Sequence, residues 1–333
     1  MRFMIAGLGS IGKRHVRNLR ALGEHDLVLL RSKPTQKSEI EFADLKTFIN
    51  IDDGLNTKPD AVLVCNPTAL HMQVAIPAAK AECHILLEKP LASLLAEALP
   101  LRTAVNNTGV HVLSAFQFRY HPGLIKIKEL LDAGVLGRVL RADCCWGEYL
   151  PGWHPWEDYR SGYSARADLG GGVVRSLCHP LDYLRWLMGE ADSIQAAIAK
   201  RSDLEIDVED DADIFIHFQN GSIANLHLDY YRQPPKHSLE ICGTEGVITW
   251  NNDDGAARLY TASDKSWQVF HVSAEFDRNT MFLDEMRHFI EVVRGKAVPI
   301  CSLNDGLKAQ MLIDAVYESA KKNQPVSIGD LPS

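Results

Sequence analysis

The chain has 333 residues, of which 46% are hydrophobic and 23% are charged, and its formal net charge is −8. This composition excludes a disordered chain, and the acidic balance argues against nucleic-acid or anionic-membrane partners, because both require a basic face. The seven cysteines form no CxxC pair, which predicts reduced thiols rather than disulfides or a zinc site. No apolar run approaches the roughly 20 residues of a membrane span, so we expect a soluble, cytoplasmic protein of about two domains.

Short apolar runs alternate with helical patterns along residues 1–118. Nearly continuous apolar runs are typical of parallel strands that are covered on both faces, and the alternation is typical of βαβ units. Strands are predicted at residues 3–6, 27–30, 61–65, 85–87 and 112–116, with helices at 13–22 and 71–81. We therefore expect an α/β domain with a doubly wound parallel sheet over residues 1–118.

The pattern changes after residue 118 to runs in which apolar and polar residues alternate. Asn220-Gly221 separates two such runs, and this dipeptide is the strongest short signal for a β-hairpin. We expect an α+β domain with a large, mostly antiparallel open sheet over residues 119–333. The last helices of this domain could instead pack back on the first domain. Its predicted strands are 139–148, 194–200, 212–219, 222–231, 239–243 and 247–250, and its predicted helices are 124–133, one ending at 189, 281–294 and 306–322 with Asp305 as N-cap.

A GxGxxG motif follows the first predicted strand and opens the first predicted helix. Gly7 allows a tight turn, Gly9 lets a pyrophosphate approach the backbone, and Gly12 allows close packing of helix and strand. The helix N-terminus at Ser10 and Ile11 would then offer amide donors and its dipole to the phosphates. The first domain is therefore predicted to bind a dinucleotide.

The end of the second strand is expected to contact the adenosine ribose of that dinucleotide. An NAD site usually has an acidic residue there, but this chain reads Arg31-Ser32-Lys33. A guanidinium and a hydroxyl suit a 2′-phosphate, which favours NADP(H). If Arg31 is only a solvated strand-end side chain, NAD(H) remains possible.

Two further strand ends carry polar groups. Asn66-Pro67 follows the strand 61–65 and is itself followed by His71, while Glu88-Lys89-Pro90 follows the strand 85–87. Ligands of open α/β sheets bind at the carboxyl ends of the strands, so these groups are predicted to face one crevice. An ordinary loop would explain any one of them alone.

Together these motifs resemble the glucose–fructose oxidoreductase / inositol dehydrogenase (Gfo/Idh/MocA) family, and the resemblance covers nearly the whole chain. Besides the glycine motif, Asn66-Pro67 with His71 and Glu88-Lys89-Pro90, it is carried by Phe118-Arg119-Tyr120-His121-Pro122, Gly137-Arg138-Val139, Gly170-Gly171-Gly172 and His179-Pro180-Leu181-Asp182.

The resemblance implies an N-terminal Rossmann domain and a C-terminal α/β domain whose open sheet mediates a homodimer or homotetramer. It also implies hydride transfer with sugars, cyclitols or their derivatives, and no metal. Lys89 would be the catalytic lysine and His179 the active-site histidine, while Glu88 and Gln117 would join the cofactor-binding set.

The chain departs from the family pattern next to His179. The family commonly has an aspartate four residues before this histidine, where this chain has Arg175. Counting from the three glycines instead places the aspartate at Ser176. His179 is thus predicted to lack a local carboxylate partner, and a purely structural histidine remains an alternative.

Residues 146–163 are unusually rich in aromatic side chains, Trp153 and Tyr163 among them. Rings interleaved with polar groups suit a sugar, although a loop packed on the sheet or a subunit interface would explain them as well. The predicted substrate-binding residues are Arg119, Trp153, Tyr163, Arg166, Arg175, Ser176 and His179. Two arginines at the pocket would favour an acidic or phosphorylated sugar, while surface salt bridges are the alternative.

The sequence therefore predicts an oxidoreductase in which a base removes a hydroxyl proton as the nicotinamide accepts hydride. Burial and the positive nicotinamide ring should both disfavour the charged form of Lys89 and bring its pKa toward the working pH. Two alternatives use the same fold: a non-catalytic NADP-binding regulator, and a redox-assisted hydrolase or isomerase that recycles a tightly held cofactor.

Overall fold

The computed structural model describes residues 1–32 and 40–332. Within it the chain divides into two compact units. The first unit contains Met1–Phe116 and Arg278–Leu307, and the second contains Gln117–Asp277 and the residues from Lys308 onward. The chain therefore leaves the first unit, builds most of the second and returns.

The first unit contains a six-stranded parallel sheet. Its strands are β1 (Arg2–Ala6), β2 (Asp26–Leu30), β3 (Lys46–Phe48), β4 (Ala61–Val64), β5 (His84–Glu88) and β6 (Val112–Ala115). Their spatial order is β3-β2-β1-β4-β5-β6, the doubly wound order that was expected. The order reverses between β1 and β4, and such a switch point is where ligands bind in folds of this kind.

Four helices connect these strands: α1 (Ser10–Ala21), α2 (Ile51–Leu55), α3 (His71–Lys80) and α4 (Leu95–Thr108). The sequence pattern predicted α1 and α3 but neither α4, α2 nor β3. Pro100 lies inside α4, and only three of its residues are buried, so no regular apolar spacing marked it as a helix. A strand of three residues such as β3 is too short for a periodic signal.

The second unit is built on a nine-stranded sheet. Its elements before the chain returns are α5 (Pro122–Asp132), β7 (Val139–Gly147), α6 (Val173–Ser176), α7 (His179–Met188), β8 (Ala191–Ala199), β9 (Asp211–Phe218), β10 (Ile223–Asp229), β11 (Lys236–Gly243), β12 (Gly246–Asn251), β13 (Ala257–Thr261) and β14 (Trp267–Phe270). The chain ends with α8 (Arg278–Val293), α9 (Leu303–Lys322) and β15 (Val326–Ser327).

The strand order is β14-β13-β12-β11-β7-β10-β9-β8-β15. Among the described residues every neighbouring pair is antiparallel except β7 with β10, so the expected mostly antiparallel sheet is confirmed. Asn220-Gly221 forms the turn between β9 and β10, and Gly221 has the positive φ of +84° that a tight hairpin requires. Buried and less buried residues alternate along β9, as they do in a sheet with one covered face.

The start of α9 differs from its prediction. Asp305 is not the N-cap but lies in the first turn of the helix, which begins at Leu303. The Ser302 hydroxyl accepts from the Asp305 backbone N–H (3.3 Å), and the Asp305 carboxylate accepts from the Ser302 backbone N–H (3.0 Å). This reciprocal pair is a capping box, in which the acidic residue lies three positions after the true cap. None of the described helices is long and apolar enough to span a membrane.

Candidate cofactor and catalytic site

The glycine turn between β1 and α1 has a separate physical reason for each glycine. Gly7 has φ of +97°, and a Cβ there would lie 2.8 Å from the Asn66 backbone nitrogen. A Cβ on Gly12 would lie 2.1 Å from the Gly7 carbonyl oxygen, whereas a Cβ on Gly9 would meet nothing within 4 Å. Two glycines thus allow close backbone packing, and the third leaves open space at the N-terminus of α1. That open side and the free amides at Ser10 and Ile11 fit a dinucleotide pyrophosphate.

The end of β2 carries the two residues predicted to select the ribose. The Arg31 backbone N–H donates to the Phe48 carbonyl (2.9 Å), which fixes the strand end against β3. Arg31 is partly buried and Ser32 is exposed. Lys33, the third residue of this segment, lies outside the described residues.

The ends of β4 and β5 are joined through a buried histidine. One ring nitrogen of His71 lies 2.9 Å from the Asn66 carbonyl oxygen and the other lies 3.1 Å from the Leu91 carbonyl oxygen. Burial lowers the pKa of His71. The neutral ring has a single N–H, so it donates to one of these two carbonyls and only packs against the other. The Asn66 side-chain nitrogen donates to Leu70, while its Oδ1 is buried with no hydrogen-bond partner among the described residues. Pro67 lies between Asn66 and a short 3₁₀ turn at Thr68–Leu70.

Glu88 is the last residue of β5, and Lys89 follows it. The Glu88 carboxylate is buried, and its Oε1 lies 2.8 Å from Nε2 of His15, which lies on α1. Lys89 is partly buried and precedes Pro90. Since β5, β4, β1 and β2 are neighbours in one parallel sheet, their carboxyl ends bring Lys89, Asn66, the glycine turn and Arg31 to the same edge.

In the second unit, His179 is the first residue of α7 and is 2% exposed. Its ring centroid lies 5.1 Å from that of Phe118 and 5.8 Å from that of Trp146. Trp146 also stacks on His237 at 4.1 Å, and the Tyr183 hydroxyl lies 3.0 Å from Nε2 of His237. His179 thus lies at the edge of a buried aromatic and histidine cluster. Sequence reasoning missed His237. On β11 this residue alternates in step with the buried residues Leu239 and Ile241, and this pattern indicates that it faces inward.

Arg119 and Asp182 form a buried bidentate ion pair. The guanidinium donates to the two carboxylate oxygens at 2.9 and 2.7 Å, and the two side chains are 4% and 1% exposed. Asp182, three residues after His179, is therefore the partner of Arg119. The pair ties the 3₁₀ turn at Gln117–Tyr120 to α7, and Gln117 is buried at the start of that turn. Substrate contact by Arg119 stays a prediction.

A carboxylate does approach the triple-glycine segment, from a region remote in the sequence. Glu209 accepts from the Tyr317 hydroxyl (2.7 Å) and from the Val174 backbone N–H (3.3 Å). A Cβ on Gly172, whose φ is +113°, would lie 2.2 Å from the Glu209 Oε1. Burial raises the pKa of Glu209. Arg175 lies with its guanidinium carbon 4.3 Å from the centroid of the Tyr317 ring.

The aromatic segment 146–163 divides between several surroundings. Trp146 belongs to the buried cluster, and Trp153 packs edge-on against Tyr230 with centroids 5.5 Å apart. Trp156 is 75% exposed. Ser176 is buried and interacts with Tyr230. Nearby in the sequence, Tyr163 begins a 3₁₀ turn, and Arg166 forms an exposed ion pair with Asp168 (2.6 Å).

Comparison with known proteins assigns both parts of the chain. Residues 1–116 match the model of the oxidoreductase family, NAD-binding Rossmann fold, and residues 128–328 match that of the oxidoreductase family, C-terminal alpha/beta domain. An uncharacterized oxidoreductase of Synechocystis sp. is 27% identical over 86% of this chain and 84% of its own length. The myo-inositol 2-dehydrogenase of Thermotoga maritima is 25% identical over 99% of both chains.

Solved structures agree with this assignment at the level of the fold. A levoglucosan dehydrogenase in complex with NADH has a TM-score of 0.89 at 22% identity and covers 99% of this chain and 100% of its own. The WlbA dehydrogenase from Bordetella pertussis, in complex with NADH and UDP-GlcNAcA, has a TM-score of 0.82 at 21% identity and covers 99% of this chain and 98% of its own. The chain belongs to the Gfo/Idh/MocA oxidoreductase family and uses a nicotinamide dinucleotide through its Rossmann domain.

Proposed function

We propose that the protein is an NAD(P)-dependent dehydrogenase or reductase that acts on a CH–OH group of a sugar, a cyclitol or a sugar derivative, or on the matching ketone. The observation that carries this proposal is the position of Glu88-Lys89 at the carboxyl end of β5, at the same sheet edge as the glycine turn. A cationic side chain at that edge can act on a substrate presented to the cofactor.

The names of several relatives support the substrate class. They include a myo-inositol 2-dehydrogenase, a levoglucosan dehydrogenase, a D-glucoside 3-dehydrogenase and a 1,5-anhydro-D-fructose reductase. These proteins are 25–26% identical to the chain across much of its length. Their named substrates are polyhydroxylated rings, which supports this class of substrate for the chain.

The roles in the mechanism follow from the residues at the sheet edge. When bound, the cofactor supplies a nicotinamide carbon that gives or accepts hydride. The backbone at Gly7–Gly12 and the N-terminus of α1 would hold its pyrophosphate. Lys89 would remove the hydroxyl proton in the oxidative direction and return it in the reductive direction. His179 would hold the substrate hydroxyl or share the proton transfer.

We propose NADP(H) as the preferred form of the cofactor, because Arg31 and Ser32 offer donors for a 2′-phosphate and no acid for a free ribose hydroxyl. An Arg31→Asp substitution should reverse the ratio of the dissociation constants for NADP+ and NAD+. Arg17→Asp is the control, since this exposed α1 arginine pairs with Glu41. An Arg31→Asp variant that still preferred NADP+ would remove the basis for the preference.

The proposed function is tested by offering the purified protein a panel of sugars, cyclitols, sugar acids and sugar phosphates with each cofactor. Oxidation or reduction of the nicotinamide with at least one of them is expected. If no compound is turned over while NADP(H) binds tightly, the non-catalytic regulator is supported instead. If one is hydrolysed or isomerised without net change in the nicotinamide, the redox-assisted alternative is supported.

A further inference from the structure

The contact between α1 and α8 in the first unit buries polar groups with unused hydrogen-bonding capacity. His15 and Asn18 lie on α1, Glu285 lies on α8, and their exposed fractions are 0%, 3% and 0%. Within the part of the chain that the structure describes, no hydrogen-bond partner exists for Nδ1 of His15, Nδ2 of Asn18 or either carboxylate oxygen of Glu285. Unsatisfied buried polar groups are rare in folded proteins and call for a reason.

His15 connects this cluster to the predicted catalytic lysine. It lies one helical turn after Gly12, and its Nε2 is 2.8 Å from the Glu88 carboxylate, directly before Lys89 in the chain. Its ring packs edge-on against Phe282, with centroids 6.4 Å apart, and Phe282 lies one turn before Glu285 on α8. One histidine therefore links the glycine helix, the end of β5 and the returning helix.

Glu285 is surrounded by groups that oppose a second negative charge. Burial raises the pKa of Glu285 well above its ordinary value, and the nearby Glu88 charge raises it further. Cys65, directly after β4, has its pKa raised by burial and by both carboxylates, so it stays a neutral thiol. Arg14 of α1 places its guanidinium carbon 4.4 Å from the centroid of the Phe282 ring.

The charged side chains next to Glu285 on its own helix are engaged elsewhere. Asp284 and Arg287 form an exposed ion pair with each other, and His288 accepts from the Ile300 backbone N–H (3.2 Å). Among the described residues, Glu88 and Cys65 interact electrostatically with Glu285, while His15 and Arg14 of α1 pack against Phe282, one turn before it on α8. One buried carboxylate can be held by His15, but two ionised carboxylates in the same cluster would repel each other.

We propose that Glu285 and His15 are positioning residues for the end of β5. Glu285 is kept as the neutral acid, so that the single negative charge of the cluster stays on Glu88, where His15 holds it. Glu88 in turn fixes the backbone from which Lys89 reaches the substrate. This inference rests on the catalytic role proposed for Lys89.

The hydrogen-bond donors and acceptors of His15 and Glu285 are consistent with a neutral Glu285. The His15 tautomer that donates from Nε2 to Glu88 leaves Nδ1 as an acceptor. A protonated Glu285 carries no charge and has one O–H to donate, although the described residues show no hydrogen bond between it and Nδ1 of His15. Ionisation of Glu285 would remove that donor and place a second charge near Glu88, which would disturb the end of β5. Activity should therefore fall at alkaline pH when Glu285 loses its proton.

The test compares kcat/KM and the free energy of unfolding across pH for the unchanged protein and Glu285→Gln. The glutamine has nearly the same shape and stays neutral. In the unchanged protein the free energy of unfolding should fall as pH rises above about 4.3, because Glu285 ionises only when the chain unfolds. Glu285→Gln should remove that contribution and also the alkaline decline of kcat/KM. Glu291→Gln, a more exposed residue of α8 paired with Arg294, should change neither profile.

A second pair of variants tests the link through His15. His15→Leu should lower kcat by about 10- to 100-fold, because a displaced catalytic group costs rate of this order. His15→Gln keeps a donor and should restore most of the loss, with KM changed less than kcat in both variants.

An alkaline decline of kcat/KM that is unchanged in Glu285→Gln overturns the inference, whatever the substitution does to the free energy of unfolding. So does a His15→Leu variant that folds and keeps its kcat. If the unchanged protein turns over no compound of the panel, the proposed function fails separately. In that case the pH dependence of the free energy of unfolding shows whether Glu285 is protonated in the folded protein. If Glu285→Gln does not alter this pH dependence, the inference is overturned.

Discussion

At the scale of single residues, Arg119 and Asp182 show how an assignment changes once partners are known. The sequence predicts substrate contact for Arg119, while Asp182 appears only in the motif that begins at His179. In the structure their buried, bidentate pairing joins two segments 63 positions apart. A buried pair of this kind matters for stability mainly when one partner is removed, because the other charge is then left in an apolar surrounding.

We expect Asp182→Asn to lower the free energy of unfolding by about 3–5 kcal/mol, since Arg119 would remain buried without its counter-ion. Urea unfolding of the protein without cofactor measures this. Asp168→Asn is the control, because Asp168 pairs with Arg166 at an exposed position and should cost about 1 kcal/mol or less. Equal losses in the two variants would contradict the importance of the buried pair.

The sequence predicted the residues of the site that follow directly from a strand end, such as Asn66 and Lys89. It did not predict those that come from remote segments. Glu209 reaches Val174 across 35 positions, and His237 reaches Tyr183 across 54. Glu285 had a signal: it lies among the apolar residues of the buried side of α8, where an acidic residue is unexpected. Local patterns give the side of an element that is buried, but not the partner that is found there.

At the scale of elements, two glycines of the turn between β1 and α1 have different roles: Gly12 allows close packing, and Gly9 leaves room for the cofactor. Gly12→Ala should lower the free energy of unfolding by about 1–3 kcal/mol, because its Cβ would overlap the Gly7 carbonyl oxygen, which cannot move freely. Gly9→Ala should fold with a free energy of unfolding within about 0.5 kcal/mol of the unchanged protein. It should weaken NADP(H) binding roughly tenfold or more, which is about 1.4 kcal/mol.

Urea unfolding and cofactor titration distinguish these two effects. The matched pair changes one hydrogen to one methyl group in the same turn, so each variant is the control for the other. Loss of stability in Gly9→Ala with unaltered cofactor binding would contradict the assignment of the open side of the turn.

The strand β10 contains a histidine with a strongly shifted pKa. His227 is partly exposed, and its hydrogen bond to Asp229, together with that to Asp213 across the β9–β10 pair, raises its pKa to about 9 against the effect of burial. A raised pKa in the folded state stabilises the fold fully below the unfolded value of about 6.5. That contribution is then lost as the pH rises through about 9.

We therefore expect the free energy of unfolding to decline between about pH 6.5 and 9, and His227→Gln to reduce this decline. Asn225→Ser changes a non-titrating side chain of the same strand and should leave the slope unaltered. An undiminished slope in His227→Gln would show that other groups cause the pH dependence.

The positions of strands were predicted within a few residues wherever an apolar run ended in a clear turn. The elements that were not predicted include α2, α6 and β15, which are short, and four others. The helix α4 contains an internal proline, β3 has three residues, and β13 and β14 follow each other near an exposed edge where alternation is weak. The start of α9 was misplaced because Asp305 is a good cap by composition, although Ser302 forms the cap in the structure.

At the scale of the whole molecule, the sequence predicted two domains and left open that the last helices pack back on the first, and in the structure Arg278–Leu307 belong to the first unit. Met286, Phe289 and Ile290 of α8 join the core formed by β1, β2 and α1. The amphipathic pattern of α8 showed that one side is buried, but either core could have received it. The return also brings Glu285 close enough to Glu88 for their charges to interact, although the two residues are nearly 200 positions apart in the chain.

Lys89 is the acid–base group in the hydride transfer proposed for this protein and its nicotinamide cofactor. Its most direct test is single-turnover transfer of deuterium from the carbinol carbon of an accepted substrate to NADP+, measured for the unchanged protein, Lys89→Met and the exposed control Lys80→Met. The label should appear in the reduced cofactor at equal rates for the unchanged protein and Lys80→Met. Lys89→Met should be slower by about 10²–10⁴, with nearly unchanged cofactor affinity. Transfer at the normal rate in Lys89→Met would contradict the assignment of Lys89 as the acid–base group.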